Sequence, residues 1–201
     1  MHVARVTHPS WQRGLRMNVR LTVRVTSVGG TGTVVDLRRL RQAEARDVLG
    51  IWELRRQLEE WLQVHGIDQW PHGSLPQSVV AADVNRGLWY VVPGPAGTVL
   101  AALRLHTEDP DFWPESPPQS VFVHGLMVAR NHAGADVGRH LLEWAAHRGR
   151  ELGARWLRLD CAADNERLKT YYAGLEFEPV RVQSVTDTRG FEVLLMRRPI
   201  A

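Results

Sequence analysis

Residues 19–26 alternate apolar and polar side chains without a break, from Val19 and Arg20 to Val25 and Thr26. That period predicts a half-exposed strand whose Arg and Thr face suits a sheet edge. Gly29, Gly30 and Gly32 then turn the chain into a second short strand over 33–37. No helix opens behind those glycines and no Lys-Ser/Thr follows, so they read as a hairpin rather than a phosphate loop. Helical spacing predicts a helical region over 41–65. Leu49, Trp52, Leu58, Trp61 and Leu62 form its inner face, with Glu53, Arg56, Glu59 and Glu60 outside. Gly50 within it allows two helices as well as one. Residues 79–84 give a short helix, 88–92 a strand, 93–97 a Pro/Gly turn and 98–107 the partner strand.

The densest pattern follows. Residues 121–128 are an apolar strand, and the small residues Ala133, Gly134, Ala135 and Gly138 lead into a helix carrying Leu141, Leu142, Ala145 and Leu152. Residues 154–160 make another strand, and Asp164-Asn165 begin a helix ending at Tyr171-Tyr172. A small-residue turn before a helix lets unpaired N–H groups and the positive end of the helix dipole converge on an anion. The same turn also serves plain strand–helix packing, so by itself it leaves both readings open. Between 107 and 119 runs a long loop with Glu108, Asp109, Asp111, Phe112, Trp113 and Glu115, which would attract a cationic amine and stack on it. The plainer reading is a solvated acidic loop with its aromatics over the core.

Composition narrows the class. The chain has 201 residues, enough for one α/β domain, and a net charge of +3, too slight to call for nucleic acid. Its single Cys excludes an internal disulfide framework and, with no apolar run of membrane-spanning length, suits a cytoplasmic protein that does not engage the membrane. Residues 1–18 lack periodicity and read as a tail, with Met17 a second candidate start, ahead of a single domain over 19–201. The nine His residues show no metal spacing, so no metal is expected.

Asn165, Leu168, Tyr171, Tyr172, Glu176 and Phe177 spell N-x-x-L-x-x-Y-Y-x-x-x-E-F. Together with the turn before Gly138, this resembles the GNAT superfamily of acyl-CoA-dependent N-acetyltransferases. The likeness is specific over 121–177 and looser from near Val34 to the C-terminus. It implies an α/β fold with a mixed, mostly antiparallel, twisted sheet of six or seven strands, splayed into a V, and helices on both faces. It also implies acetyl-CoA as co-substrate. Backbone of Gly134, Ala135, Asp136, Val137, Gly138 and Arg139 would hold the diphosphate, Leu126, Met127 and Val128 would offer main chain to the pantetheine arm, and Asn165 would touch CoA while capping its helix. Trp61 and Trp70, near Asp68 and Gln69, would line the acceptor side, unless those tryptophans are core anchors. The sequence departs from the family pattern at Ala133 (Gln or Arg there), Asp136 (Gly) and Glu176 (Gly). A carboxylate at 136 repels a diphosphate, and neither Asp nor Glu takes a left-handed conformation as readily as Gly.

The expected reaction is transfer of acetyl to the amine of a small molecule by direct attack. The amine, near pKa 10.4 if it resembles Lys, must lose a proton, and the leaving thiolate gains from receiving one. Tyr172 fits the acid by family position. His124, ordinarily near 6.5, is the first choice of base, with Asp109, Asp160 or a water relay as alternatives. Gly125 marks a bulge or close backbone approach. Asp109 and Trp113 are substrate candidates from the loop. The competing reading is a GNAT-shaped module that binds without catalysing. Oligomeric state is left open, a homodimer among the options.

Overall fold

A computed structural model describes residues 22–23, 35–114, 119–185 and 191–200 of the chain. The tail expected over 1–18, the glycine turn at 29–32 and part of the loop at 115–118 lie outside the described residues. So does most of the first expected strand: Thr22–Val23 (β1) is described, pairing antiparallel with Val35–Asp36 (β2).

Seven strands form the main sheet: Arg41–Gln42 (β3), Trp89–Pro93 (β4), Val99–His106 (β5), Ser120–Val128 (β6), Trp156–Ala162 (β7), Glu178–Ser184 (β8) and Glu192–Pro199 (β9). Their order is β3-β4-β5-β6-β7-β9-β8, antiparallel throughout except for the parallel pair β6–β7. Helices Val48–Val64 (α1) and Gln77–Asn85 (α2) cover one face; Val137–Glu151 (α3) and Glu166–Ala173 (α4) cover the other. Ile51, Leu54, Val80 and Val84 pack with Trp89, Val91 and Met127 in the first layer. Leu141, Leu142 and Ala145 pack with Leu103, Val123, Leu157 and Leu159 in the second. Among the described residues, no helix is long and apolar enough to cross a membrane.

The first helical region is shorter and differently rotated than its apolar residues predict. It begins at Val48, after a short strand and a 3-10 turn at Ala45–Asp47. Its inner face is Gly50, Ile51, Leu54, Arg55, Leu58 and Glu59, while Leu49 is left outside. Glu59 turns inward because Arg55, one turn earlier, donates Nε to it at 2.7 Å. Burying two opposite charges costs far less than burying one. Gly50 does not break the helix. It lets α1 approach the β4–β5 turn, since a Cβ there would sit 2.7 Å from the Gly97 carbonyl oxygen and 2.9 Å from Val99 Cγ2.

β6 carries one extra residue opposite β5: Ala102 pairs with Met127 but Arg104 pairs with His124. Gly125, at φ +56, sits in that bulge, with Trp89 3.2 Å from where its Cβ would be. The insertion changes which way side chains point. His124 therefore does not share a face with Leu126 and Val128, as plain alternation implies. Those two pack on the α3 side, and Met127 takes the α1 side.

Gly50→Ala is expected to destabilise the protein by about 1–3 kcal/mol, although Ala is the better helix former, because backbone stands in the way. Urea unfolding checks this; an equal or higher midpoint would contradict the packing.

Candidate active site

The parallel pairing of β6 with β7 runs only from Ser120/Trp156 to Val123/Leu159. Beyond it the strands part, and a cavity of about 500 Å³ opens in the wedge. It is continuous from Leu58, Trp61 and Trp70 on the α1 side, past His124 and Asp160, to Gly134 and Gly138 at the start of α3. Asn165, Tyr171 and Tyr172 also line it.

At the α3 end, no backbone amide over 134–139 donates to a partner among the described residues. Asp136 precedes the helix in the left-handed conformation, φ 55 and ψ 11. Its side chain is 67% exposed and lies 4.0 Å from Arg139 Nε, directed at solvent rather than at the amides. Its carbonyl accepts from the His140 backbone and lies 2.8 Å from that ring's Nδ1. Glu176, at φ 66, is left-handed too. Both positions where the sequence departs from glycine therefore have a backbone that favours glycine. At Gly138 a Cβ would lie 2.8 Å from the Tyr171 hydroxyl, so a larger residue there would push that ring aside. Unpaired amides at the start of a 15-residue helix are the kind of arrangement that can receive an anion.

Asn165 caps α4: its Oδ1 accepts from the Leu168 amide at 3.1 Å. Its Nδ2 donates at 3.2 Å to Gln69 Oε1, which also accepts from the Ala162 amide at 3.1 Å. Gln69 thus ties the segment after α1 to the cap of α4. Arg130 stacks on Trp61 with its Cζ 3.7 Å from the ring centroid, closing the wall on the other side.

His124 stands at the middle of the cavity between two acids. Its Nε2 lies 3.1 Å from Asp109 and its Nδ1 3.1 Å from Asp160. Burial alone would favour the neutral ring, but the two carboxylates outweigh it and raise its pKa to about 9. His106, edge-on to His124 at 5.1 Å, goes the other way. Burial, then the His124 charge, brings it down to about 4, so it is neutral. The Tyr172 hydroxyl is pushed upward by burial first and then by nearby Cys161 and Asp160, so it keeps its proton. Cys161 is fully buried, and burial followed by Asp160 lifts its thiol to about 11, which makes it a poor nucleophile.

The cavity brings together Trp61, Trp70, His124, Leu126, Val128, Gly134, Asp136, Val137, Gly138, Asn165 and Tyr172 of the expected site. Five expected positions do not line it. The Met127 side chain is in the α1 core, Ala135 packs against the α3 core, and Arg139 stays half exposed beside Asp136. Trp113 is a correction to the substrate assignment: it is buried against Phe122, with Arg158 Cζ 4.2 Å from its ring centroid, while Phe112 lines the cavity instead. Asp109 is buried behind His124 as its partner, not on the cavity wall. Two lining residues that pattern reading passed over are Arg55 and Arg104. Charged residues read from sequence as solvated, and only the spacing of Arg55 to Glu59 carried a signal.

Comparison with known proteins gives one family: a model described as acetyltransferase (GNAT) family matches residues 51–177. The chain is 27% identical over 132 residues to an uncharacterized N-acetyltransferase, YesJ, of Bacillus subtilis (strain 168), covering 59% of this chain and 69% of that protein. Among solved structures, a GNAT family acetyltransferase from Listeria monocytogenes 4b F2365 superposes with a TM-score of 0.64 at 21% identity, over 80% of this chain and 93% of that one. YncA from Salmonella typhimurium, solved with acetyl-CoA, gives 0.59 at 16% identity, over 81% and 93%.

A His pKa raised in the folded state adds stability that is complete below the unfolded value near 6.5 and is lost as pH rises through about 9. The stability advantage of the natural protein over His124→Gln is therefore expected to shrink by up to about 3 kcal/mol between pH 6.5 and 9.5. Denaturant titrations across that range check it; a constant difference would mean the ring is not charged between its two acids.

Proposed function

We propose that this chain, which belongs to the acetyltransferase (GNAT) family and takes acetyl-CoA as co-substrate, moves the acetyl group to the amine of a small molecule by direct attack. The observation that carries this reading is the single cavity joining the free amides at the start of α3 to the Tyr172 hydroxyl and the Asp160 carboxylate.

The residues present suit that co-substrate. Free amides over 134–139 and the dipole of α3 receive the diphosphate, and the outward turn of Asp136 lessens, without removing, the repulsion from its charge. Past Val123 the β7-facing edge of β6 has no strand partner among the described residues, so the main chain beside Leu126 and Val128 can pair with an amide-bearing arm. Asn165 fixes the start of α4 and, through Gln69, the acceptor wall. Acetyl-CoA supplies the thioester carbon that the amine attacks.

Proton handling falls to three side chains. Tyr172 holds its proton well into alkaline pH and so is the donor towards the departing sulfur. His124 is not a free base at neutral pH, because a ring near 9 is already protonated and has no lone pair to offer. Asp160, 21% exposed and lining the cavity, attracts the ammonium and positions it. Proton acceptance then belongs to the His124–Asp160 pair in its deprotonated fraction. Its raised pKa approaches that of an alkyl ammonium near 10.4, so transfer is close to balanced.

Thiol release from acetyl-CoA over a panel of small amines, with titration calorimetry of acetyl-CoA, tests the whole reading. Release with none of them would contradict it. Tyr172→Phe is expected to lower kcat by about a hundredfold while leaving the acetyl-CoA Kd within about twofold; equal losses would make it a packing residue. Asp136→Gly is expected to tighten acetyl-CoA by about three- to tenfold, through lost repulsion; unchanged or weaker binding would contradict the repulsion. kcat/KM is expected to climb from pH 7 and level off near 9, and His124→Gln to remove that break.

A further inference from the structure

Two guanidiniums, one from α1 and one from β5, line the acceptor end of the cavity. Arg55 of α1 is 6% exposed, donates Nε to Glu59 at 2.7 Å and Nη2 to Ser74 at 2.9 Å, and lies with its Cζ 3.9 Å from the Trp70 ring centroid. Arg104 of β5 donates Nη1 to Asp83 at 2.9 Å. Both line the cavity. Arg55 Nη1 and Arg104 Nη2 have no hydrogen-bond partner among the described residues. Burial foremost, and repulsion from Arg104 among the rest, brings Arg55 down to about 10, so an anion between the two would relieve both.

The charges around this end do not balance, and neither do those beside it. Asp83 also serves Arg86, at 3.5 Å, so three guanidiniums share Asp83 and Glu59 and leave a positive surplus. One strand away, His124 sits between Asp109 and Asp160, which leaves a negative surplus whether its ring is charged or neutral. Arg104 and His124 are direct partners across β5 and β6. Residues paired in this way have Cα atoms about 4.5–5.5 Å apart. A positive group on α1 and β5 and a negative group beside His124 therefore sit on neighbouring strands, and Arg55, Arg104 and Asp160 all line the one cavity, the pair of opposite charges that the carboxylate and ammonium of one small zwitterion call for. The wall beyond them is apolar: Leu58, Trp61, Leu62, Ile67 and Phe112.

We propose that the acceptor is a free α-amino acid with an apolar side chain, its carboxylate held between Arg55 and Arg104 and its amino group beside Asp160. This rests on the acetyl-transfer reading above and narrows it. An amine without the carboxylate would leave the guanidinium surplus desolvated and unpaired, and sites built to pair a polar group discriminate strongly against ligands lacking it.

Thiol release from acetyl-CoA with the full chain separates the cases. L-Leucine and L-phenylalanine are expected to exceed 3-methylbutylamine and phenethylamine in kcat/KM by about a hundredfold or more. L-Leucinamide should fall with the amines. In Arg104→Gln the ratio of L-leucine to 3-methylbutylamine is expected to fall towards one, with partial recovery in Arg104→Lys. Because the comparison of acids with amines uses the unaltered chain, it stands even if Arg104→Gln fails to fold. Equal or better turnover of the amines or the amide overturns the amino acid assignment and leaves acetyl transfer standing, as does turnover of a polyamine in preference to all four. No thiol release with any acceptor overturns both.

Discussion

β6 and β7 run parallel and bonded for four residue pairs and then separate, with β6 bulging against β5 at Gly125 while β7 stays in register with β9. Everything functional in the described chain is arranged around that separation. A sheet that remained paired would bury the edge of β6 and leave no wedge for a ligand. The two helices on the α3 side bring their N-termini to the opening, since right-handed crossovers after parallel strands place helix starts at the carboxyl ends of those strands. Free amides at α3 and the Asn165 cap of α4 thereby reach one cavity.

The same opening sets the electrostatics. His124, one residue before the bulge, keeps the α1-side orientation of Arg104, while Leu126 turns to the other side. A single inserted residue thus stands between the charge-bearing part of β6 and the part that offers apolar wall and free main chain. Two carboxylates then hold the ring charged at neutral pH, and the neighbouring His106 is kept neutral by burial and by that charge. Arg104 on β5 and Asp160 on β7, either side of His124 on β6, thus both face the one cavity.

Much of this was legible in the chain. The strands at β6 and β7 and the helices α3 and α4 follow from apolar period, small-residue turn and Asn cap, and the strain expected at Asp136 and Glu176 coincides with left-handed backbone at both. The losses have physical reasons. Apolar counting put Leu49 inside and Glu59 outside, because it assigns each charge to water and cannot see that Arg55 neutralises Glu59 one turn away. For the same reason Arg55 and Arg104 went unread as cavity residues. Strict alternation failed at β6 where the bulge shifts the phase, although Gly125 marked the place. Trp113, a substrate candidate by its place in the loop, forms instead its own buried cluster with Phe122 and Arg158.

The central claim is that main-chain amides over 134–139 receive the diphosphate of the co-substrate despite the aspartate among them. Backbone amide resonances of the protein labelled with ¹⁵N, followed while desulfo-CoA is added, test it most directly. The account predicts that the largest shifts and the greatest slowing of hydrogen exchange fall on residues 134–139. Saturable binding that leaves those amides unmoved would contradict it.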